Sequence, residues 1–140
     1  MHHILYMSTA VGSPTDEDLK SILIKSRQNN EERNVTGMLL YTEGTFVQIL
    51  EGQKDDVKYI YKTLLNDHRH KNLICLIDGE AKRRTFSEWW MGFTPVNSTG
   101  ICSLKGYLEK PSQNVLSITV QDPAVQVLRT FVEHNMRILS

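Results

Sequence analysis

The sequence is short of several things, and each shortage closes off a class of protein. Cys75 and Cys102 are the only cysteines among 140 residues. They are too few for a disulfide framework, and they fit a reducing cytosol. Apolar flanks make both of them small buried hydrophobes on this reading rather than reactive thiols. Lys+Arg and Asp+Glu balance at 16 each, for a net charge of zero. A basic surface that holds nucleic acid by charge alone is therefore not expected. No apolar run is long enough to span a bilayer, and the opening "MHHILYMSTA" lacks the apolar core of a signal peptide. Repeats and low-complexity tracts are missing too. What is present, 40% hydrophobic and 23% charged residues, describes one soluble, cytoplasmic domain with a single core and a short appendage.

Residues 3–8 read as a first strand. Thr15 is the N-cap of a helix running to about residue 29, with Asp18 three positions later and acidic residues in the first turn. Residues 35–42 and 45–51 form two strands joined by a tight turn around Glu43 and Gly44. Asp55 and Asp56 open a second helix, whose Val57, Ile60, Tyr61, Leu64 and Leu65 follow helical spacing. Residues 73–77 form a fourth strand and 86–93 a fifth. The order β-α-β-β-α-β plus one strand predicts an α+β fold, a ferredoxin-like sandwich with both helices on one face of the sheet.

Beyond Phe93 the composition changes. Residues 94–100 read as a linker, 101–109 as a short helix and 110–114 as a loop. A last helix starts at Asp122 and Pro123, a cap followed by a first-turn proline. Its stripe of Val125, Leu128, Val132, Met136 and Leu139 needs a surface to cover, either the chain's own sheet or a partner's. The chain divides into a unit at 1–97 and a C-terminal helical extension at 98–140, which would serve as a cap, an oligomer contact or an output segment.

Polar residues on otherwise apolar faces carry the functional signal. In "FVQILEG" (46–52), Phe46, Gln48 and Leu50 share one face while Val47 and Ile49 share the other. Gln48 cannot turn to water, and an unpaired buried amide costs roughly 1–3 kcal/mol. A buried Tyr6 hydroxyl also needs a partner, and Gln48 is a candidate. Along the first helix, Leu19, Ile22, Leu23, Ser26, Arg27 and Asn30 form a stripe that begins apolar and ends polar. Either the helix ends there with Asn30 in a turn, or Ser26 and Asn30 line a pocket against the sheet. "DHRH" (67–70) has poor spacing for a metal site, and its cations suit a helix C-terminus. Lys82, Arg83 and Arg84 read as a solvated turn. Trp89, Met91 and Phe93 share a strand face and default to core packing.

Taken together, Tyr6, "SRQNN" (26–30), "VTGMLLY" (35–41), "FVQILEG", "DHRH" and "FSEWWMGF" (86–93) make residues 4–93 resemble a BLUF domain, a blue-light sensor that uses FAD. The resemblance implies a non-covalent FAD whose ring lies between the two helices against the sheet. It makes Tyr6 and Gln48 the photoactive pair, with light-driven electron and proton transfer between Tyr6 and flavin switching the Gln48 hydrogen bonds. It puts Asn30 at the flavin's pyrimidine edge, with Ser26, Asn29, Asp67, Arg69 and His70 as further cofactor contacts. Trp89 and Met91 become the relay to the C-terminal segment. Trp90 departs from the family pattern, where a small residue is frequent, and Thr63 stands where some relatives carry arginine. The expected partners are a second copy of the chain and a separate output protein, with no nucleic acid, membrane or metal. Two other classes compete: a light-independent regulatory ligand- or protein-binding module, and an acylphosphatase-like hydrolase. The hydrolase needs an arginine beside a phosphate-cradling first loop, and residues 9–13, "TAVGS", have none. Both alternatives predict a colourless protein.

Overall fold

The computed structural model describes residues 1–12, 14–42, 44–85, 92–95, 123, 124, 126–128, 130 and 131. Strand β1 (His2–Ala10) leads to helix α1 (Asp16–Glu32). Thr15 starts that helix through a reciprocal box. The Asp18 N–H donates to Thr15 Oγ1 at 3.2 Å, and the Thr15 N–H donates to Asp18 Oδ2 at 2.9 Å. The helix runs three residues past the expected end. It closes where Arg33 and Val35 N–H groups donate to the Asn30 carbonyl at 3.2 and 2.8 Å. Asn34, at φ 55°, then reverses the chain, a left-handed conformation that asparagine tolerates better than most residues.

Strands β2 (Thr36–Thr42) and β3 (Thr45–Gly52) form the predicted hairpin, and helix α2 (Lys54–Leu65) follows. Strand β4 (His70–Glu80) and the short β5 (Gly92–Pro95) complete a sheet ordered β4-β1-β3-β2-β5. The first four strands pair antiparallel, and β5 joins β2 in parallel. This is the ferredoxin-like α+β arrangement. Of the expected fifth strand, residues 86–91 lie outside the described residues, as do Trp89, Trp90 and Met91.

The sheet is buried on both faces. Ile4, Tyr6, Leu39 and Leu50 face the helices and pack with Leu19, Leu23, Val57 and Ile60. Leu5, Met38, Leu40, Val47 and Ile49 face the other way and pack with Ala124 and Leu128. The strands therefore read as continuous apolar runs without clean alternation. The last helix had two candidate surfaces in the sequence, and Leu128 rests on the chain's own sheet. Val125, Val132, Met136 and Leu139 lie outside the described side chains, as do the expected helix at 101–109 and Cys102.

Cys75 corrects a sequence expectation. It is exposed because β4 is the edge strand, where the flanking Ile74 and Leu76 are themselves 55% and 43% exposed. Apolar neighbours signal burial only where a second layer covers the strand. The same exposure hid the length of β4, predicted at five residues and found at eleven.

The packing of Leu128 yields a test of the extension. With no exposed surface, its truncation in Leu128→Ala should cost about 2–5 kcal/mol, as for other buried leucines. Urea unfolding monitored by circular dichroism measures this; an unchanged midpoint would mean that the helix does not cap this sheet in solution.

Candidate functional site

The register of β1 against β3 sets Tyr6 directly opposite Gln48, and β2 sets Leu39 on the other side of Gln48. Both polar side chains point to the helix side of the sheet. The Tyr6 hydroxyl donates to Gln48 Oε1, a contact buried from solvent. The buried glutamine in an apolar strand thus has a partner one strand away. With its oxygen accepting from the phenol, the amide NH2 is the donor end of the side chain.

Above this pair lies a cavity of about 560 Å³. Its floor is Tyr6 and Ser8 from β1, Leu39 from β2, and Phe46 and Gln48 from β3. One wall is helix α1, which contributes Ile22, Lys25, Ser26 and Asn29. These positions step by three, one and three residues, so they share one helical face. The opposite wall is the end of α2, with Thr63 and Leu64, and the turn from Asn66 to His70. Ser26 therefore lines a cavity wall, as the second of the two readings had it, but Asn30 does not. Leu19, Leu23 and Asn30 lie on the neighbouring stripe and are buried. Asn30 is 1% exposed and sits outside the set that lines the cavity.

The turn after α2 is held by its own side chains. Asp67 accepts from the Arg69 backbone N–H at 2.9 Å, and from its guanidinium at 3.0 Å through Nη2 and 3.2 Å through Nε. Partial burial of Asp67 opposes ionisation, but these bonds outweigh it and hold the carboxyl below its usual range. The charges of Asp67 and Arg69 thus cancel locally. His70 is gripped at both ring nitrogens: Nε2 lies 2.7 Å from the Leu64 carbonyl and Nδ1 lies 2.9 Å from Ser8 Oγ. A carbonyl only accepts, so Nε2 carries a proton; in the neutral ring Nδ1 then accepts from the Ser8 hydroxyl.

Tyr6 is packed edge-to-face with Tyr61, with ring centroids 5.6 Å apart. Burial pushes its phenol well above the usual range, and Tyr61 and Asp67 push it further. At neutral pH Tyr6 keeps its proton and can act only as a neutral donor to Gln48.

Of the sequence-predicted site residues, Tyr6, Ser26, Asn29, Gln48, Asp67, Arg69 and His70 converge on this cavity. Sequence reasoning missed Ser8, Lys25, Asn66 and His68 as lining residues. Ser8 was accessible through strand alternation from Tyr6, and Lys25 through helical spacing from Asn29. The other two had no signal beyond their place in the turn. Leu39 and Phe46 read as core and are core, with one face bare to the cavity.

An apolar floor, amide and hydroxyl groups on the walls and a charged rim suit a planar heterocycle with hydrogen-bonding edges. Fold and cavity together define a ligand-binding α+β domain. The family profile of BLUF, sensors of blue-light using FAD, matches residues 1–92. The chain belongs to that family. It is 32% identical over 114 residues to photoactivated adenylate cyclase subunit alpha of Euglena gracilis, covering 81% of this chain and 11% of that protein. It is 30% identical over 120 residues to the blue light- and temperature-regulated antirepressor BluF of Escherichia coli (strain K12), covering 84% of this chain and 30% of that one. Among solved structures, the photo-activated state of BlsA is 25% identical at a TM-score of 0.67, covering 96% of this chain and 94% of the other. The chain thus spans less than a third of the length of these two curated relatives. The cofactor of the family is FAD, and the cavity residues fit its flavin ring: the floor matches a flat apolar surface, and Gln48, Ser26 and Asn29 match polar ring edges.

The raised phenol of Tyr6 makes a signed prediction. Its folded pKa lies above the unfolded value of about 10, so the stability from burying the neutral phenol is complete below that pH. It is lost as pH rises above 10 toward the folded value. Stability to urea should therefore fall above pH 10, and Tyr6→Phe should flatten that fall. Tyr61, also raised by burial and by Cys75, leaves a residual slope. An alkaline limb unchanged in Tyr6→Phe would contradict this.

Proposed function

We propose that this blue-light sensor switches through Tyr6 and Gln48, that Ser26, Asn29, Asn30, Gln48, Asp67, Arg69 and His70 hold the FAD, and that residues 98–140 carry the output. The observation that carries this reading is the buried hydrogen bond from Tyr6 to Gln48 Oε1, placed on the floor of a cavity whose walls combine both helices and the sheet. FAD, when bound, supplies the absorption of blue light and the transient electron and proton demand on Tyr6.

The residues then do the rest. Tyr6 holds a proton on Oη because burial disfavours the phenolate. Loss and return of that proton releases and re-forms the bond to Gln48. In the interval the amide is free to rotate or tautomerise, so that a different end meets Tyr6. His70, fixed by Leu64 and Ser8, and the self-neutralised Asp67–Arg69 pair keep the wall rigid while the floor rearranges.

Output is proposed through two routes that start from the floor. Trp89 and Met91 precede β5, which is paired to β2 beside Leu39. Val47 and Ile49 flank Gln48 on the opposite face of β3, in the cluster that contains Ala124 and Leu128. A displacement of β3 at Gln48 therefore has contact with the C-terminal helix. Proximity alone is not coupling; the extension must favour one state of the strand. Its recipient is proposed to be a second copy of the chain or a separate output protein. Light scattering of dark and illuminated protein reads the first of these.

The switch itself is tested by substitution. Tyr6→Phe and Gln48→Leu should each abolish the light-induced red shift of the flavin band while retaining bound flavin. Gln48→Leu removes the acceptor of the buried Tyr6 hydroxyl and should cost about 1–3 kcal/mol; Tyr6→Phe should cost less, and the double variant less than the sum. A normal spectral shift in either single variant would overturn the assignment.

A further inference from the structure

The cavity has a charge that no described residue neutralises. Among its described lining residues, Asp67 and Arg69 bind each other, and Lys25 is left as the one cationic side chain without an ion pair. Lys25 also lines a second, shallower groove of about 460 Å³ on the outer side of α1. Lys25 and Asn29 belong to both, so they form the saddle that separates the two spaces. In the outer groove Lys20 is paired with Glu17 at 3.6 Å, which again leaves Lys25 as the net charge. A different opening, toward Val11 and Pro14, carries Asp18 and the already paired Arg69. It has no cation to spare.

FAD is a flat neutral ring joined through a ribityl chain to a doubly charged diphosphate and an adenosine. The ring suits the apolar floor. The diphosphate does not, because burying an unpaired charge is far costlier than leaving it at a wet, cationic rim. We propose that the ribityl chain leaves the cavity across the Lys25–Asn29 saddle, that Lys25 Nζ pairs with the diphosphate, and that the adenosine lies in the groove beside Ile24 and Gln28. Lys25 is then the residue that makes this chain prefer FAD over riboflavin. Its stem covers the rim while the ammonium stays in water, the usual compromise for a lysine. This rests on the cavity being the flavin site.

Flavin binding to apo-protein, followed by fluorescence quenching with FAD and with riboflavin, tests it. Lys25→Gln should weaken FAD about fivefold at low salt, the upper range for a partly exposed ion pair, and leave riboflavin unchanged. Lys25→Glu should weaken FAD on the order of tenfold or more by adding repulsion, while Lys25→Arg restores the preference. The difference between the flavins should collapse near 1 M salt, where screening acts within about 3 Å. Lys54→Glu controls for total charge: it starts α2 nine residues before Thr63, roughly 13 Å along the helix, and should alter neither flavin. Equal loss of both flavins in Lys25→Glu, or no loss of FAD, overturns the assignment of Lys25. Failure of the unmodified protein to bind either flavin would instead overturn the site itself.

Discussion

A hydrogen bond between two side chains in the middle of a sheet sets the terms for everything around it. Tyr6 and Gln48 face each other across adjacent strands, on a surface otherwise made of Ile4, Leu39, Phe46 and Leu50. The buried Tyr6 hydroxyl donates to Gln48 Oε1, so the register of β1 on β3 is fixed by more than hydrophobic pattern. A slip of β3 by one residue would turn Gln48 to the opposite face, among Leu5, Met38 and Leu40, and set Val47 or Ile49 opposite Tyr6. The pair is also poised. A glutamine amide offers a donor end and an acceptor end of nearly equal shape, so the same packing accommodates two hydrogen-bond patterns. A carboxylate at that position would only accept, and a leucine would do neither.

The two-sided burial of the sheet gives that small rearrangement somewhere to go. Strand β3 has the cavity on one face and the C-terminal helix on the other, with Val47 and Ile49 on the far side of the peptide bonds that carry Gln48. Close-packed interiors pass strain from one face to the other because they have little free volume to absorb it. Helix α1 plays a matching role at the cavity wall. Its core stripe of Leu19 and Leu23 anchors it, and its adjacent stripe of Ile22, Lys25, Ser26 and Asn29 is released to contact a ligand. The end of α2 supplies the third side, stiffened by Asp67, Arg69 and the doubly held His70.

Much of this was legible in the sequence, for physical reasons that differ by element. The capping box at Thr15 and Asp18, the hairpin at Gly44 and the apolar stripe of α2 are local signals, and the structure realises them, except that Leu65 at the end of that stripe is exposed. The cavity was legible because polar residues on apolar faces are expensive: Gln48 in a strand and Ser26 on a core-side helix had to be explained. Edge position was not legible. Cys75, Ile74 and Leu76 look like core in sequence and are exposed, because nothing local says which strand lies outermost. Lys25 was passed over for the opposite reason. A lysine on a helix is ordinary until the structure shows that it stands between two open spaces and lacks a counter-charge among the described residues. Arg84, read as part of a solvated turn, in fact donates to the carbonyls of Asn34 and Glu51 at 2.6 and 3.3 Å and to Thr36 Oγ1 at 3.1 Å. Its partners lie 33 to 50 residues away in the chain, beyond any local pattern.

The central claim is that light acts by changing the bonding of one glutamine amide. Light-minus-dark infrared difference spectroscopy on flavin-loaded protein carrying isotopically labelled glutamine side chains addresses it most directly. The account predicts a pair of bands in the amide carbonyl region that moves with the label, vanishes in Gln48→Leu, and decays in the dark together with the flavin's spectral shift. A flavin shift of normal size and lifetime, with no label-sensitive glutamine band, would contradict it.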